Sequence, residues 1–305
     1  MLNLTLELKD PTNRKYGKSK RRIALNQALA SIKYPMEFKR RARTIVDIKN
    51  FKGAEFRNIC LFAFHLIGGV FPDGSDIKKL WVMTGYILRI NLLDDDDYIQ
   101  ARAKNQIPLT EIYRRWMRLF QKIFGKSGMV HNVHMVAHLD IARRLGPFTA
   151  TSLFREESSY GTLQRKFRAG TTNVGKQAMN NYLFSEMVLG HRDHKLPSFN
   201  TKVTTKTEDS IMFLANGQFV KLTNKIEDDK NGTKYIVKDF NTEAYRPSEC
   251  PDLTFTYIQV RKFISLDEAD HQLDLTDPQY RVKAKGILVG NLLLSIPNGL
   301  LMEEI

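Results

Sequence analysis

The residues with chemistry to offer are concentrated between positions 131 and 182. His131, His134 and His138 follow an H-x2-H-x3-H spacing, which on a helix brings three imidazoles within about 60° of one face. Such a face is a ligand set for zinc. The intervening Val133, Met135, Val136 and Leu139 suit a buried helix with hydrogen-bonded histidines equally well. No Glu stands where a hydrolytic zinc helix carries its base. Further on, Glu156 and Glu157 precede Ser158-Ser-Tyr-Gly161 and the basic positions Arg165, Lys166, Arg168 and Lys176. A carboxylate beside a cationic, glycine-punctuated segment is the raw material of metal-dependent phosphoryl transfer, because the carboxylate holds the ion while the cations hold the phosphates. One carboxylate is not a site, and exposed helix residues facing Arg165 and Arg168 would read the same way. Arg143 and Arg144 extend the basic set, and no acidic residue lies between Glu157 and Glu186 to cancel it.

These side chains need elements to hold them. Aromatic and aliphatic residues at spacings of three and four predict stacked helices from about Ile48 to Met129, interrupted at Gly68-Gly69 and at Phe71-Pro-Asp-Gly74. One helix is expected over Leu109 to Phe124, behind Pro108 and ending at Gly125, with Ile112, Tyr113, Trp116 and Phe120 on its apolar face. The run Asp94 to Asp97 resembles a cation site, but four consecutive carboxylates cannot converge on one ion. Acidic residues ahead of a helix complement its dipole, so a helix start is the better reading. From Thr204 the pattern changes to short β-like runs: Ile211 to Leu214 and Phe219 to Leu222 around Asn216-Gly217, then a hairpin turning near Asp228 to Gly232. Leu253 to Leu266 and Gly286 to Ile296 follow. A small β-barrel or sheet of about 95 residues accounts for that spacing.

Composition sets the wider frame. The 305 residues are 42% hydrophobic and 26% charged, enough for a substantial core. Lys and Arg outnumber Asp and Glu by 47 to 33, a net charge of +14. Over residues 1–50 the count is 13 to 4, concentrated in Lys18-Ser-Lys-Arg-Arg22 and Lys39-Arg-Arg-Ala-Arg43. This favours a polyanionic partner and excludes an acidic-ligand buffer. The first cluster can serve nuclear import, phosphate binding or simple solvation. Two widely spaced cysteines, Cys60 and Cys250, argue against a disulfide scaffold and for an intracellular setting. The most apolar run, Ile59 to Phe71, has 13 residues including His65, too few to span a bilayer, so no membrane association is expected.

Read in order, the motifs resemble a known family. Asn132-x-His134-x3-His138-Leu139, then Arg144-Leu-Gly-Pro-Phe148, then a carboxylate four residues before Gly161, then Leu163-x-Arg165, look like the C-terminal half of CACTA (En/Spm-like) transposases and their animal transposase-domain relatives. Ile32-Lys-Tyr-Pro35 with Phe38-Lys-Arg40, Phe51-Lys-Gly-Ala-Glu-Phe-Arg57 and Phe213-Leu-Ala-Asn-Gly217 extend the resemblance over nearly the whole chain. The family cuts and joins DNA with an RNase H-like core carrying two Asp and one Glu. The resemblance puts Glu157, with Glu156 as its neighbour, at the Glu position, while the two Asp positions have no counterpart among these residues. Phe51 replaces a family Trp, and Arg155-Glu156 replaces a Pro-aromatic pair.

The expectations are therefore an α+β protein with a basic N-terminal arm (1–47), a helical transposase-like block including the end of an RNase H-like core (48–189), a linker (190–207) and a small β-rich, barrel-like domain (208–305). The implied function is that of a transposase-derived, DNA-associated nuclear protein that is not catalytic by itself. Arg143, Arg144, Arg165, Lys166, Arg168 and Lys176 would contact phosphates. No cofactor is required, with magnesium needed only if a complete catalytic core is assembled. Two alternatives stand beside it. In one, an upstream segment or a protein partner completes a metal-dependent nuclease around Glu157. In the other, the chain is a protein-interaction module that binds no nucleic acid.

Overall fold

The computed structural model describes residues 17–36, 38, 43, 50–148, 204–206, 209–228, 232–273 and 277–297. The chain divides into a compact unit formed by residues 1–150 and 203–305 and a second one formed by residues 151–202. All described residues belong to the first. Its N-terminal part is helical and its C-terminal part is antiparallel sheet. The described helices and strands both lie in that unit.

Helix α1 (Gly17–Ala30) lies inside the expected basic arm, yet Leu25 and Leu29 on it are buried, as are Tyr34 and Phe38 beyond its end. Tyr34, Phe38 and Phe62 form a triangle of aromatic rings with centroids 5.5–6.0 Å apart, a packing that contributes beyond its buried area. Helices α2 (Gly53–Phe62) and α3 (Phe64–Gly69) follow. Helix α4 (Asp76–Leu92) begins at Ser75, whose hydroxyl accepts from the Lys78 amide, and is buried almost continuously from Leu80 onward. It is the central element of the helical part. Its Gly85 permits a close approach: a Cβ there would fall within the ring of Phe64.

Helix α5 (Asp95–Lys104) starts at the acidic run as expected, with Asp95, Asp96 and Asp97 in its first turn. Helix α6 (Leu109–Phe124) has the expected limits, buries Ile112, Tyr113, Trp116 and Phe120, and ends at Gly125 with φ of 74°. Its indole donates to Thr84 Oγ1 at 2.8 Å, and Tyr113 shares a hydrogen bond with Asn91, so α6 is fixed to α4 through polar groups satisfied inside the core.

Seven strands follow among the described residues: β1 (Ile211–Leu214), β2 (Phe219–Asp228), β3 (Gly232–Ala244), β4 (Val260–Leu266), β5 (His271–Leu273), β6 (Val282–Val289) and β7 (Leu292–Ser295). Their order is β2-β1-β6-β7-β4-β3-β5, and β2 also pairs with β3. That pairing closes six strands into an antiparallel barrel, with β5 added outside along β3. Ile211, Phe213, Phe219, Ala284 and Leu293 cluster with Phe240, Phe263 and Leu288. All six strands contribute to this group, which is the barrel interior. The alternate residues Met212, Leu214, Val220, Leu222 and Val237 form a second cluster beneath β5, as a two-residue side-chain period demands.

Leu253 to Leu266 is not one strand. Phe255–Ile258 form a 3-10 turn, and Gln259 takes a left-handed conformation (φ 59°) before β4 begins. The turn presses Phe255 against Phe64 and Tyr86, with centroids 6.0 and 5.2 Å apart. Gln259 is held by Asp97 Oδ2 at 2.7 Å and by Ser295, whose amide donates to its carbonyl at 3.1 Å. Residues in such conformations persist where their surroundings over-determine them.

Further bonds join the two halves. Buried Arg89 on α4 donates to the Ser295 carbonyl at 2.8 Å and the Ile258 carbonyl at 3.3 Å. His65 on α3 donates through Nε2 to the Val289 carbonyl at 2.8 Å, and Lys283 pairs with Asp97 at 2.6 Å.

Candidate nucleic-acid interface

Arg143 and Arg144 are neighbours in a chain of short helical turns: α7 (His131–His134), a 3-10 turn at Met135–His138, α8 (Leu139–Ala142) and a second 3-10 turn at Arg143–Leu145. Their fates differ. Arg143 is only 4% exposed. Its Nη1 donates to Asp95 Oδ1 at 2.8 Å and its Nη2 to the Leu93 carbonyl at 2.7 Å, while its guanidinium lies 4.3 Å from the centroid of the Tyr98 ring. These contacts secure the segment to the start of α5. In the structure the charge of Arg143, expected at a phosphate, is engaged by Asp95 in a buried setting.

Arg144 is exposed. With Arg102, Tyr98, Asp140 and the edge of Arg143 it lines a cavity of about 100 Å³. Tyr98 and Arg102 are four residues apart on α5 and therefore share a face. With Arg143 neutralised by Asp95, Arg102 and Arg144 exceed Asp140 by one positive charge. Burial, with Asp140 a smaller contributor, raises the Tyr98 phenol above its ordinary value, so it is a neutral hydrogen-bonding group at pH 7. Planar guanidinium groups beside a phenol are donors for phosphate oxygens. Arg102 and Tyr98 were not singled out from the sequence, although their i,i+4 spacing behind the acidic run was visible.

The imidazole set is only partly assembled. His134 and His138 approach to 3.4 Å between their Nε2 atoms, with ring centroids 5.2 Å apart. The interposed 3-10 turn breaks the helical spacing that would align all three, and among the described residues no three His, Cys, Asp or Glu side chains group as ligands for a metal ion. Nor is the segment the buried alternative: His131, His134, His138 and Met135 are exposed. Glu156, Glu157, Arg165, Lys166, Arg168 and Lys176 lie outside the described residues.

Acidic residues near the site serve structure. Burial, then repulsion from Asp97, raises the Asp94 carboxyl, while Asp97 is engaged by Gln259 and Lys283. Both cysteines are free, and burial pushes each thiol up to about 12, so neither is a nucleophile at neutral pH. Among the described residues no helix is long and apolar enough to cross a membrane. No family model, curated protein or solved structure matches the chain.

Proposed function

We propose that this is a transposase-derived, DNA-associated nuclear protein that holds the phosphate backbone and does not cut DNA unaided. The observation that carries the reading is the convergence of Arg102 and Arg144, from separate segments, on one concavity in a chain of net charge +14. Electrostatic attraction of that size supplies sequence-independent affinity, and converging guanidinium groups give it a fixed point of contact. The reading places the described turns of residues 131–145 at the end of an RNase H-like core, with Glu157 as its Glu. Magnesium enters only when further carboxylates complete the set.

The test is a binding titration of the full chain on duplex DNA across a salt series. Affinity should fall linearly on logarithmic axes, and the slope should shrink by about one for each phosphate contact removed in R102Q and R144Q. Absence of binding, or binding indifferent to salt, overturns the proposal.

A further inference from the structure

A cavity of about 510 Å³ opens at one mouth of the β-barrel and has no part in the DNA reading. Six-stranded barrels of this kind ordinarily fill their interiors with side chains. Here Gly286 faces inward, where a Cβ would collide with Ile211 and Phe219, and space remains between Phe240, Phe263 and Leu288. The rings of Phe240 and Phe263 meet edge to face, with centroids 5.8 Å apart, and form one wall. A volume of this size, apolar and set in a barrel mouth, matches small-molecule sites rather than packing defects.

The charge at the rim specifies the ligand. Ile211 pairs with Lys221 across β1 and β2, and Lys221 pairs with Lys238 across β2 and β3. Ile211 belongs to the interior cluster, so strand alternation puts both lysines on the interior face, directly opposite one another. Like charges so placed are destabilising. Both are half-buried, and neither has an ion-pair partner among the described residues. Exposed Lys33, which follows α1, stands at the same rim. Lys221 and Lys33 line the apolar chamber, and Lys238 faces Lys221 from the next strand; cations so placed are complementary to one anionic head with an apolar tail. No arginine is among the described lining residues to offer a bidentate fork for phosphate, so a carboxylate is the fitting head.

We infer that the barrel mouth is a binding site for an amphipathic carboxylate, its alkyl or aryl part against Phe240, Phe263 and Leu288 and its head between Lys221 and Lys238. Isothermal titration of the full chain with dodecanoate, below its micellar concentration, tests this, with dodecyltrimethylammonium as the cationic control. The expected result is one saturable site for dodecanoate, at least tenfold tighter than for the cation. In K221Q/K238Q, affinity should drop at least tenfold while the thermal midpoint is held or raised, because the repulsion is gone. Equal affinity for the two amphiphiles, unchanged affinity in a folded double variant, or displacement of dodecanoate by a duplex oligonucleotide would overturn the assignment.

Discussion

Lys285 on β6 and Asp209 ahead of β1 form an ion pair of 2.9 Å in which each side chain is 1% exposed. The same carboxylate oxygen accepts the Met36 amide at 3.2 Å, so one buried charge pair joins the barrel to the segment that follows α1. Removing one partner takes the counter-charge from the other in a buried setting. Lys285→Met and Asp209→Asn are each expected to cost about 3–5 kcal/mol, whereas the apolar double replacement Lys285→Met with Asp209→Leu should recover most of that loss. Urea denaturation of the three variants decides. Equal destabilisation of the singles and the double would mean that the pair contributes more than its desolvation consumes.

His65 couples the helices to the β6–β7 turn and predicts an acid limit to stability. Burial lowers its pKa from the ordinary 6.5 to about 4, against a smaller upward effect of the bond to Val289. Nε2 must carry the proton to donate to that carbonyl, and Nδ1 is buried without a partner. In the folded protein the ring stays neutral between pH 6.5 and 4, while in the unfolded chain it gains a proton over the same interval. Its contribution is therefore intact above pH 6.5 and is lost as pH falls towards 4, by about 1–3 kcal/mol. A pH series of denaturation midpoints should show this decline in the wild type and a shallower one in His65→Gln. Parallel slopes would assign the acid sensitivity elsewhere.

How much of this was legible beforehand depended on range. Helix α6 could be read from Pro108 to Gly125 because its period, its start and its stop are all local. So could the β1–β2 turn at Asn216-Gly217, where Gly217 supplies a φ of 86°. The strand order could not, since the β1–β6 and β4–β7 registers are set by contacts distant in sequence. Leu25 and Leu29 were obscured by the surrounding lysines and arginines, which made a packed helix resemble a solvated arm. Within the candidate site the difficulty was sharper. Arg143 and Arg144 are identical in type and adjacent, and only the placement of Asp95, Leu93 and Tyr98 separates a structural cation from an available one.

The contact between α3 and α4 makes a packing prediction. A methyl at position 85 would enter the ring of Phe64, which is itself stacked on Phe255. Gly85→Ala should therefore destabilise by about 1–3 kcal/mol through overpacking, even though alanine is favoured over glycine in a helix by about 1 kcal/mol. Phe64→Leu in the Gly85→Ala background should be less costly than the sum of the two single changes. A double-mutant cycle by chemical denaturation measures that coupling. Strict additivity would show that Phe64 moves aside without cost.

The two neighbouring arginines allow the fold and the proposed function to be tested separately. Arg143→Ala forfeits the bonds to Asp95 and the Leu93 carbonyl together with the contact over Tyr98, a loss of about 2–3 kcal/mol of stability. Arg144→Ala removes an exposed side chain at the cavity and should leave the denaturation midpoint within about 0.5 kcal/mol of wild type. DNA affinity should respond in the opposite order once both proteins are measured at a temperature where each is folded. Arg144→Ala weakens binding and lowers the salt dependence by about one contact, because a phosphate ligand has gone. Arg143→Ala in its folded form keeps its salt slope, because that charge was already neutralised by Asp95. If both variants bind as the wild type does, phosphate is held elsewhere on the chain. A loss of salt slope in Arg143→Ala would instead mean that DNA competes with Asp95 for the buried guanidinium.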